Sequence, residues 1–280
     1  MHYNGLHKEL SKLPEYLAPE SGLQVFGSQS DREATRFLAF CADRLLHLLR
    51  PLPGERLLDV SAGNGIFTVA AAQAMQPSGR ITAIDLSEQL LTGLEAKIRQ
   101  FGIDNVDVHR MDGAHTDFRR GYFHHVVCSL GLHRFPDLSQ AFREWHRVLR
   151  PHGRLACASF RMEAFQPQLG MLAQRLASIG HKVEIPWRQT SDIPMLESII
   201  IESGYSDVTF QEAQLGYHLP SPEQWWEVIE NSPLQVWLQP LSFADRSQLR
   251  TGHLAEVAEI QGDKGLWLSV PVLLVLARKR

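Results

Sequence analysis

The sequence predicts an α/β fold built on a doubly wound, mostly parallel sheet, and three observations carry that prediction. From Arg56 onward, short apolar runs alternate with amphipathic segments of helical period. The first run, "RLLDV", passes through a turn of small residues, "SAGNG", straight into an alanine-rich segment without charge. Acids close the next two runs, at Asp85 and Asp112. Consecutive parallel strands need crossover helices, so this rhythm folds as an open sheet with helices against it.

Each element has its own local reason. Residues 1–50 are read as an N-terminal helical cover, with Phe37, Leu38, Ala42, Leu45, Leu46 and Leu49 at helical spacing. "RPLPGE" breaks that helix, and the main domain, 51–280, follows. Its core, 56–160, reads strand "RLLDV", helix "GIFTVAAAQAM", strand "RITAID", helix "SEQLLTGLEAKIRQFG" and strand "VDVHRMD". Strand "HHVVCSLG", helix "LSQAFREWHRVLRP" and strand "RLACASF" complete it. Ser87 is the expected N-cap of the second helix, Leu90, Leu94, Ile98 and Phe101 its buried stripe, and Gly102 its end. Leu138, Ala141, Phe142, Trp145, Val148 and Leu149 form the stripe of the next helix, which Pro151 is expected to stop.

Beyond Phe160 the pattern predicts helices in "QLGMLAQRLASIG" and "IPMLESIIIESGY" and a strand in "DVTFQEAQLGYHL". A mostly helical cover insertion occupies about 221–262. The final run "GLWLSVPVLLVLARK" reads as one strand, with Pro271 at a bulge or an unpaired edge.

Composition bounds the partners. A net charge of −3 gives no general attraction to nucleic acid or anionic membranes. Cys41, Cys128 and Cys157 lie far apart and form no CxxC pair, so neither a disulfide framework nor a zinc knuckle is expected. No apolar run is long enough to span a membrane, and the start "MHYNGLHKELSKLPEYL" lacks the apolar centre of a signal peptide. The expectation is a cytoplasmic protein without membrane insertion, a monomer or homodimer.

In a doubly wound sheet, ligands bind beyond the carboxyl ends of the strands, and the first strand-to-helix turn lies there. Gly63 and Gly65 supply backbone freedom, and small neighbours admit a close approach. The turn lacks the complete G-x-G-x-x-G of a dinucleotide site and the Gly-Lys-Ser/Thr of a P-loop. Asp85, about twenty positions past Gly65, stands where a carboxylate accepts hydrogen bonds from ribose hydroxyls. A bare structural turn, with Asp85 and Asp112 as capping residues, is the competing reading.

Together "LLDVSAGNGIFTVA", "ITAIDLSEQLL", "VHRMDGAH" and "VVCSLGLHRFPDLSQAFREWHRVLRPHGRL" resemble the successive motifs of class I S-adenosylmethionine-dependent methyltransferases, in the small-molecule (UbiE/COQ5-like) branch. The resemblance covers about 56–160 and implies a Rossmann-like seven-stranded sheet whose last strand is antiparallel. It implies S-adenosyl-L-methionine as cofactor, with S-adenosyl-L-homocysteine as product. By that resemblance Asp59, Ser61, Gly63 and Gly65 lie beside the methionine part, and Ala62 and Leu86 also belong to the cofactor site. Asp85 meets the ribose, Asp112 and Gly113 the adenine, and Ser129 and Leu130 close the pocket. Ser61 stands where the family often has its first glycine, His124 where an aspartate is common, and His152 where glycine is common.

Methyl transfer by in-line displacement needs alignment first, because orientation lowers the barrier by roughly 7–11 kcal/mol. No HExxH, GxSxG or clustered metal ligands occur, and no metal is expected. His133 is the candidate base for an acceptor that must lose a proton, with His115 its rival and a packing role the alternative for both. Tyr16, Phe26, Trp225 and Trp226, with Trp237 and Phe243, are candidates to line an apolar acceptor cleft, against a plain anchoring role. Arg32, Arg36, Arg161 and Arg188 are candidates to answer an acidic acceptor.

The expected acceptor is a small organic molecule, a quinol, phenol or other secondary metabolite. A protein substrate and a non-catalytic partner that binds the cofactor are the alternatives. "CSLGLHRF" occupies the place where enzymes acting on nucleic-acid bases carry an Asn/Asp-Pro-Pro-Tyr/Phe motif, which argues against nucleic acid.

Overall fold

Leu57 packs into one hydrophobic cluster and Leu58 and Val60 into another, so the first strand is buried on both faces and needs a layer of helices on each. The computed structural model describes residues 34–280 and shows those layers. Helix α1 (Arg36–Leu49) leads into β1 (Arg56–Val60), α2 (Ile66–Ala74), β2 (Arg80–Asp85), α3 (Glu88–Gln100), β3 (Val106–Arg110) and β4 (Phe123–Ser129). Then come α4 (Leu138–Val148), β5 (Leu149–Phe160), α5 (Gln168–Ser178), α6 (Ile193–Glu202), β6 (Tyr205–Gln214) and β7 (Tyr217–Leu219). Helices α7 (Pro222–Glu230) and α8 (Phe243–Ala258), then β8 (Leu266–Leu268) and β9 (Pro271–Lys279), complete the chain.

The main sheet has seven strands in the order β3-β2-β1-β4-β5-β9-β6. Strands β1 to β5 run parallel, and β9 lies antiparallel between β5 and β6. Helices α1, α2, α3, α5 and α7 bury residues against one face, and α4 and α6 against the other. The chain order reverses between β1 and β4, which places a crevice at their carboxyl ends.

Local signals act as expected at several ends. The Ser87 hydroxyl accepts from the Leu90 N–H at 3.3 Å and caps α3. The stripe of α3 is rotated slightly from the expected one: Leu91 and Leu94 are buried, while Leu90 is half-buried. All three cysteines are free and buried.

Two proline expectations are corrected. Helix α4 ends at Val148, and Pro151 lies inside β5, where the pairing with β4 shifts register and His152 takes a φ of +62°. The extra residues bulge the strand instead of merely ending the helix. The last apolar run is two strands. Leu266–Leu268 pairs with β7 in a separate two-stranded sheet, and Pro271 is the first residue of β9, where its missing N–H costs no ladder bond.

The 221–262 insertion contains α7, a 3₁₀ turn (Pro233–Trp237) and α8, and it packs on α5. Arg175 Nε donates to Glu256 Oε2 at 2.5 Å, and Trp237 Nε1 donates to the Glu184 carbonyl at 2.8 Å. Among the described residues no helix is long and apolar enough to cross a membrane.

Candidate active site

The β1–α2 turn is held by the strand beside it. Ala62 N–H donates to the Ile84 carbonyl at 3.0 Å, and Gly63 N–H donates to Asp85 Oδ2 at 2.9 Å. Ser87 N–H donates to Asp85 Oδ1 at 2.9 Å, so one carboxylate fixes the turn after β1 and the start of α3 together. The two glycines have different reasons to be small. Gly65 has a φ of +82°, and a Cβ there would overlap Leu94 Cδ1 of α3. Gly63 has a φ of +57° and open space beside it. Packing therefore demands the second glycine, and backbone conformation alone demands the first.

Asp59 lies beneath this turn. It is 1% exposed and accepts from Thr68 Oγ1 at 2.5 Å. Burial pushes its carboxyl up to about 7, against the Thr68 hydrogen bond, and the Asp85 charge pushes the same way. Asp112, after β3, accepts from Ala114 N–H at 2.9 Å and from His115 Nδ1 at 2.9 Å. Those contacts outweigh burial and hold its carboxyl below the usual range. His115 also meets Gln140 of α4. Gly113 has no room for a Cβ beside Val60, and its carbonyl accepts from Trp145 Nε1 at 2.8 Å.

A cleft of about 790 Å³ opens over these strand ends. Ser61, Asp85, Leu86, Asp112, Gly113 and His133 line it together, which joins six of the sequence candidates in one place. His133 stands on a 3₁₀ turn (Leu132–Arg134) after β4. Burial lowers its imidazole to about 4, helped by the Arg134 charge and opposed by a hydrogen bond to the Leu130 backbone. At neutral pH the ring is uncharged, but it is far too weak a base to match a reaction near pH 7. This corrects the expected tuning of His133; its place at the cleft stands.

Other candidates lie elsewhere. Asp59, Ala62, Gly63, Gly65, Ser129 and Leu130 shape the turn and the end of β4 without lining the cleft. Ser129 Oγ faces Cys41 Sγ of α1 at 3.7 Å. Trp225 and Trp226 are corrected to core residues: Trp225 Nε1 donates to His253 Nε2 at 2.8 Å, and Trp226 Nε1 donates to Glu230 Oε1 at 3.0 Å. Trp237 is buried and Phe243 is 90% exposed. Arg36 lies over the Tyr217 ring, Arg161 donates to the Ser191 carbonyl and pairs with Glu212, and Arg188 is exposed; none of the three lines the cleft. Tyr16, Phe26 and Arg32 lie outside the described residues.

The cover wall that the sequence reading missed is made by Pro186, Pro233, Gln235, Val236 and Gln239. A short 3₁₀ turn has no long period to reveal it, and Pro and Gln carry no functional signature. Trp225→Phe tests the corrected role. It should cost about 1–3 kcal/mol of stability by stripping a buried imidazole of its donor, and it should leave cofactor affinity unchanged. Urea unfolding and calorimetry read the two effects separately.

Residues 58–157 match a family of methyltransferase domains. The match spans the elements from β1 to β5. The chain is 36% identical over 125 residues to a nocamycin O-methyltransferase of Saccharothrix syringae, an alignment that covers 45% of each protein. It is 32% identical over 112 residues to a demethylmenaquinone methyltransferase of Listeria welshimeri, covering 40% of this chain and 48% of that one. The alignments thus span less than half the length of these two relatives. The YcgJ protein of Bacillus subtilis shares the fold at a TM-score of 0.58, 16% identity, and coverage of 86% of this chain and 98% of that one.

The cofactor of such a domain is S-adenosylmethionine, and the cleft fits it. Asp85 spends one lone pair of each oxygen on a backbone N–H, which leaves acceptor capacity for a ribose diol. Asp85, Asp112 and Asp137 outnumber Arg134 among the charged residues of the lining, which suits a ligand with a cationic sulfur. Among the described residues no group of three His, Cys, Asp or Glu is placed to hold a metal ion.

Proposed function

We propose that the protein transfers a methyl group from S-adenosylmethionine to a small organic acceptor held between the strand ends and the cover. The observation that supports this most is the placement of Asp85 and Asp112 at the ends of neighbouring strands on one cleft wall, with the β1–α2 turn hydrogen-bonded to Asp85. When bound, the cofactor supplies an electrophilic methyl on a cationic sulfur. The chain's own residues bind, orient and exclude water: Asp85 takes the ribose, Asp112 the adenine end, and the cover presents an uncharged wall to the acceptor.

The five cover residues on the cleft are proline, glutamine and valine, without a charge among them. They suit a neutral molecule with carbonyl or hydroxyl oxygens, which glutamine amides recognise as either donor or acceptor. An enol, quinol or phenol fits that description. The names of the two relatives, one acting on nocamycin and one on a quinone precursor, support the same class.

The test is a panel of enols, quinols and phenols incubated with the protein and S-adenosylmethionine, with S-adenosylhomocysteine measured by mass spectrometry. Formation of the product above the acceptor-free rate supports the reading. Tight cofactor binding with no product from the panel, but with methylated protein in a lysate, would move the substrate to proteins. Heat on titration with NAD and none with S-adenosylmethionine would overturn the reading altogether.

A further inference from the structure

Beside the cleft lies an open groove of about 750 Å³, lined by the loop that joins β3 to β4, by α4 and by the end of α6. Gln140, Arg143, Glu144 and Arg147 follow one another at helical spacing along α4. The loop contributes Asp117 and Arg120, and the end of α6 contributes Ser203. His146 joins the parts: a Cβ built on Gly204 would stand 3.0 Å from its Nε2, so the ring lies against the residue that follows Ser203.

The charges of this groove do not all answer one another. Glu144 accepts from Thr116 N–H at 2.9 Å and from Arg147 Nε at 2.7 Å, and Arg147 also donates to the Phe118 carbonyl at 2.8 Å and the Thr116 carbonyl at 3.0 Å. That pair stitches the loop to α4 and satisfies itself. Arg120 and Arg143 are exposed, and neither has a hydrogen bond or ion pair among the described residues. Asp117 is the one acid of the lining left to set against these two guanidinium groups.

A buried cation stands behind them. Lys279, at the end of β9, donates to the His146 carbonyl at 2.6 Å and to the Leu149 carbonyl at 2.7 Å. Burial lowers its ammonium from the ordinary value, and the charges of Arg120 and Arg147 lower it further. The His146 imidazole is lowered by burial, by Lys279 and by Arg120, against a hydrogen bond to the Gly204 backbone. Cations that depress one another in this way gain from an anion among them.

Ser203 is an independent sign of a ligand. It is 6% exposed, and its hydroxyl has no hydrogen-bond partner among the described residues. A buried hydroxyl left unpaired costs stability, and an oxygen reaching the floor of the groove would supply the missing acceptor. The donors come from three elements, so the anion needs several oxygens. A carboxylate has two oxygens and a single charge. A phosphate has more of both, and its geometry matches guanidinium groups.

We propose that this groove is a phosphate-binding site, in which Arg120 and Arg143 hold the charged oxygens and the Ser203 hydroxyl donates to one of them. It is separate from the cleft, with which it shares an edge at Ala114, His115 and Gln140.

The experiment is calorimetry on the full chain at constant ionic strength, with and without S-adenosylhomocysteine, titrating inorganic phosphate, phenyl phosphate and acetate. Phosphate should bind at a single site equally well in both conditions, and acetate should not bind. Arg120→Ala, Arg143→Ala and Ser203→Ala should each weaken phosphate binding about tenfold. The serine variant is the sharpest of the three, because it leaves the charge of the groove as it is. Tighter binding of phenyl phosphate than of inorganic phosphate would assign the site to a phosphorylated molecule, and the reverse order to the free ion; both support it. Competition between phosphate and S-adenosylhomocysteine would put the anion in the cleft and overturn the assignment. So would the absence of phosphate binding, acetate binding equal to that of phosphate, or parent-like affinity in Ser203→Ala, which would reduce the groove to a loose attraction of ions by exposed arginines.

Discussion

Asp85→Ala should lower the affinity for S-adenosylmethionine by about 30- to 150-fold, or about 2–3 kcal/mol, and should do so through two separate losses. The first is direct, because the acceptors for the ribose hydroxyls disappear. The second is structural. The same carboxylate holds Gly63 N–H and Ser87 N–H, so its removal frees the turn after β1 and the entry to α3 at once. Asp85→Asn separates the two. An amide oxygen replaces one acceptor, so one of the two backbone contacts survives while the negative charge is lost.

A companion signature lies at Asp59. The Asp85 charge is one of the influences that raise its carboxyl to about 7, so Asp59 should ionise at lower pH in both variants. Calorimetry gives the affinities and a carboxyl-resolved NMR titration gives the Asp59 shift. Parent-like affinity in Asp85→Ala would remove Asp85 from the site and leave it a turn residue alone.

What the sequence revealed of this site follows from physical necessity at particular positions. A cap such as Ser87 answers to the backbone N–H groups of a helix start, which exist wherever a helix starts, so it was legible. The acids at the ends of β2 and β3 were legible because a strand end in a doubly wound sheet has a defined place relative to the ligand crevice. Trp225 and Trp226 were ambiguous for an equally physical reason. A tryptophan on an amphipathic helix has the same spacing whether it faces a core or a cleft, and only the partners of its N–H, here His253 and Glu230, distinguish them. Gly65 was read for closeness to a ligand, whereas the neighbour that excludes a side chain is Leu94, a contact between α2 and α3 that no local pattern encodes. The cover wall at Gln235, Val236 and Gln239 depends on how the insertion packs over the sheet, and so did not show in one dimension.

Acidification below about pH 6.5 should destabilise the protein, and three buried histidines set the window. His125, His133 and His253 are each lowered by burial to about 4, from an ordinary value near 6.5. His125 is 2% exposed with Nε2 at 2.6 Å from Glu55 Oε2; the carboxylate pulls its value up, and burial prevails, with Arg154 and His124 adding to it. His253 is fully buried, and its Nε2 is the acceptor for Trp225, so protonation there must break that bond. Arg175 lowers His253 and Glu256 raises it.

Because the folded values lie below the unfolded ones, the unfolded chain binds these protons first as pH falls. The stability they contribute is complete above about pH 6.5 and is lost toward pH 4. Asp59 opposes the trend, since its folded value of about 7 lies above its unfolded one and the folded chain holds that proton. The balance is a net uptake of between one and two protons on unfolding around pH 5–6, which gives a slope of about 2 kcal/mol per pH unit. Against a typical total of about 5–15 kcal/mol, two units of acidification consume much of the margin.

Urea midpoints should be nearly level between pH 7.5 and 6.5 and should fall from pH 6.5 to 5.5 and again to 4.5, at an unchanged m-value. His253→Gln should flatten the profile, because an amide at that place carries no titrating proton. A midpoint constant across the range would mean that these rings are protonated at no cost inside the fold, and that burial does not hold them neutral.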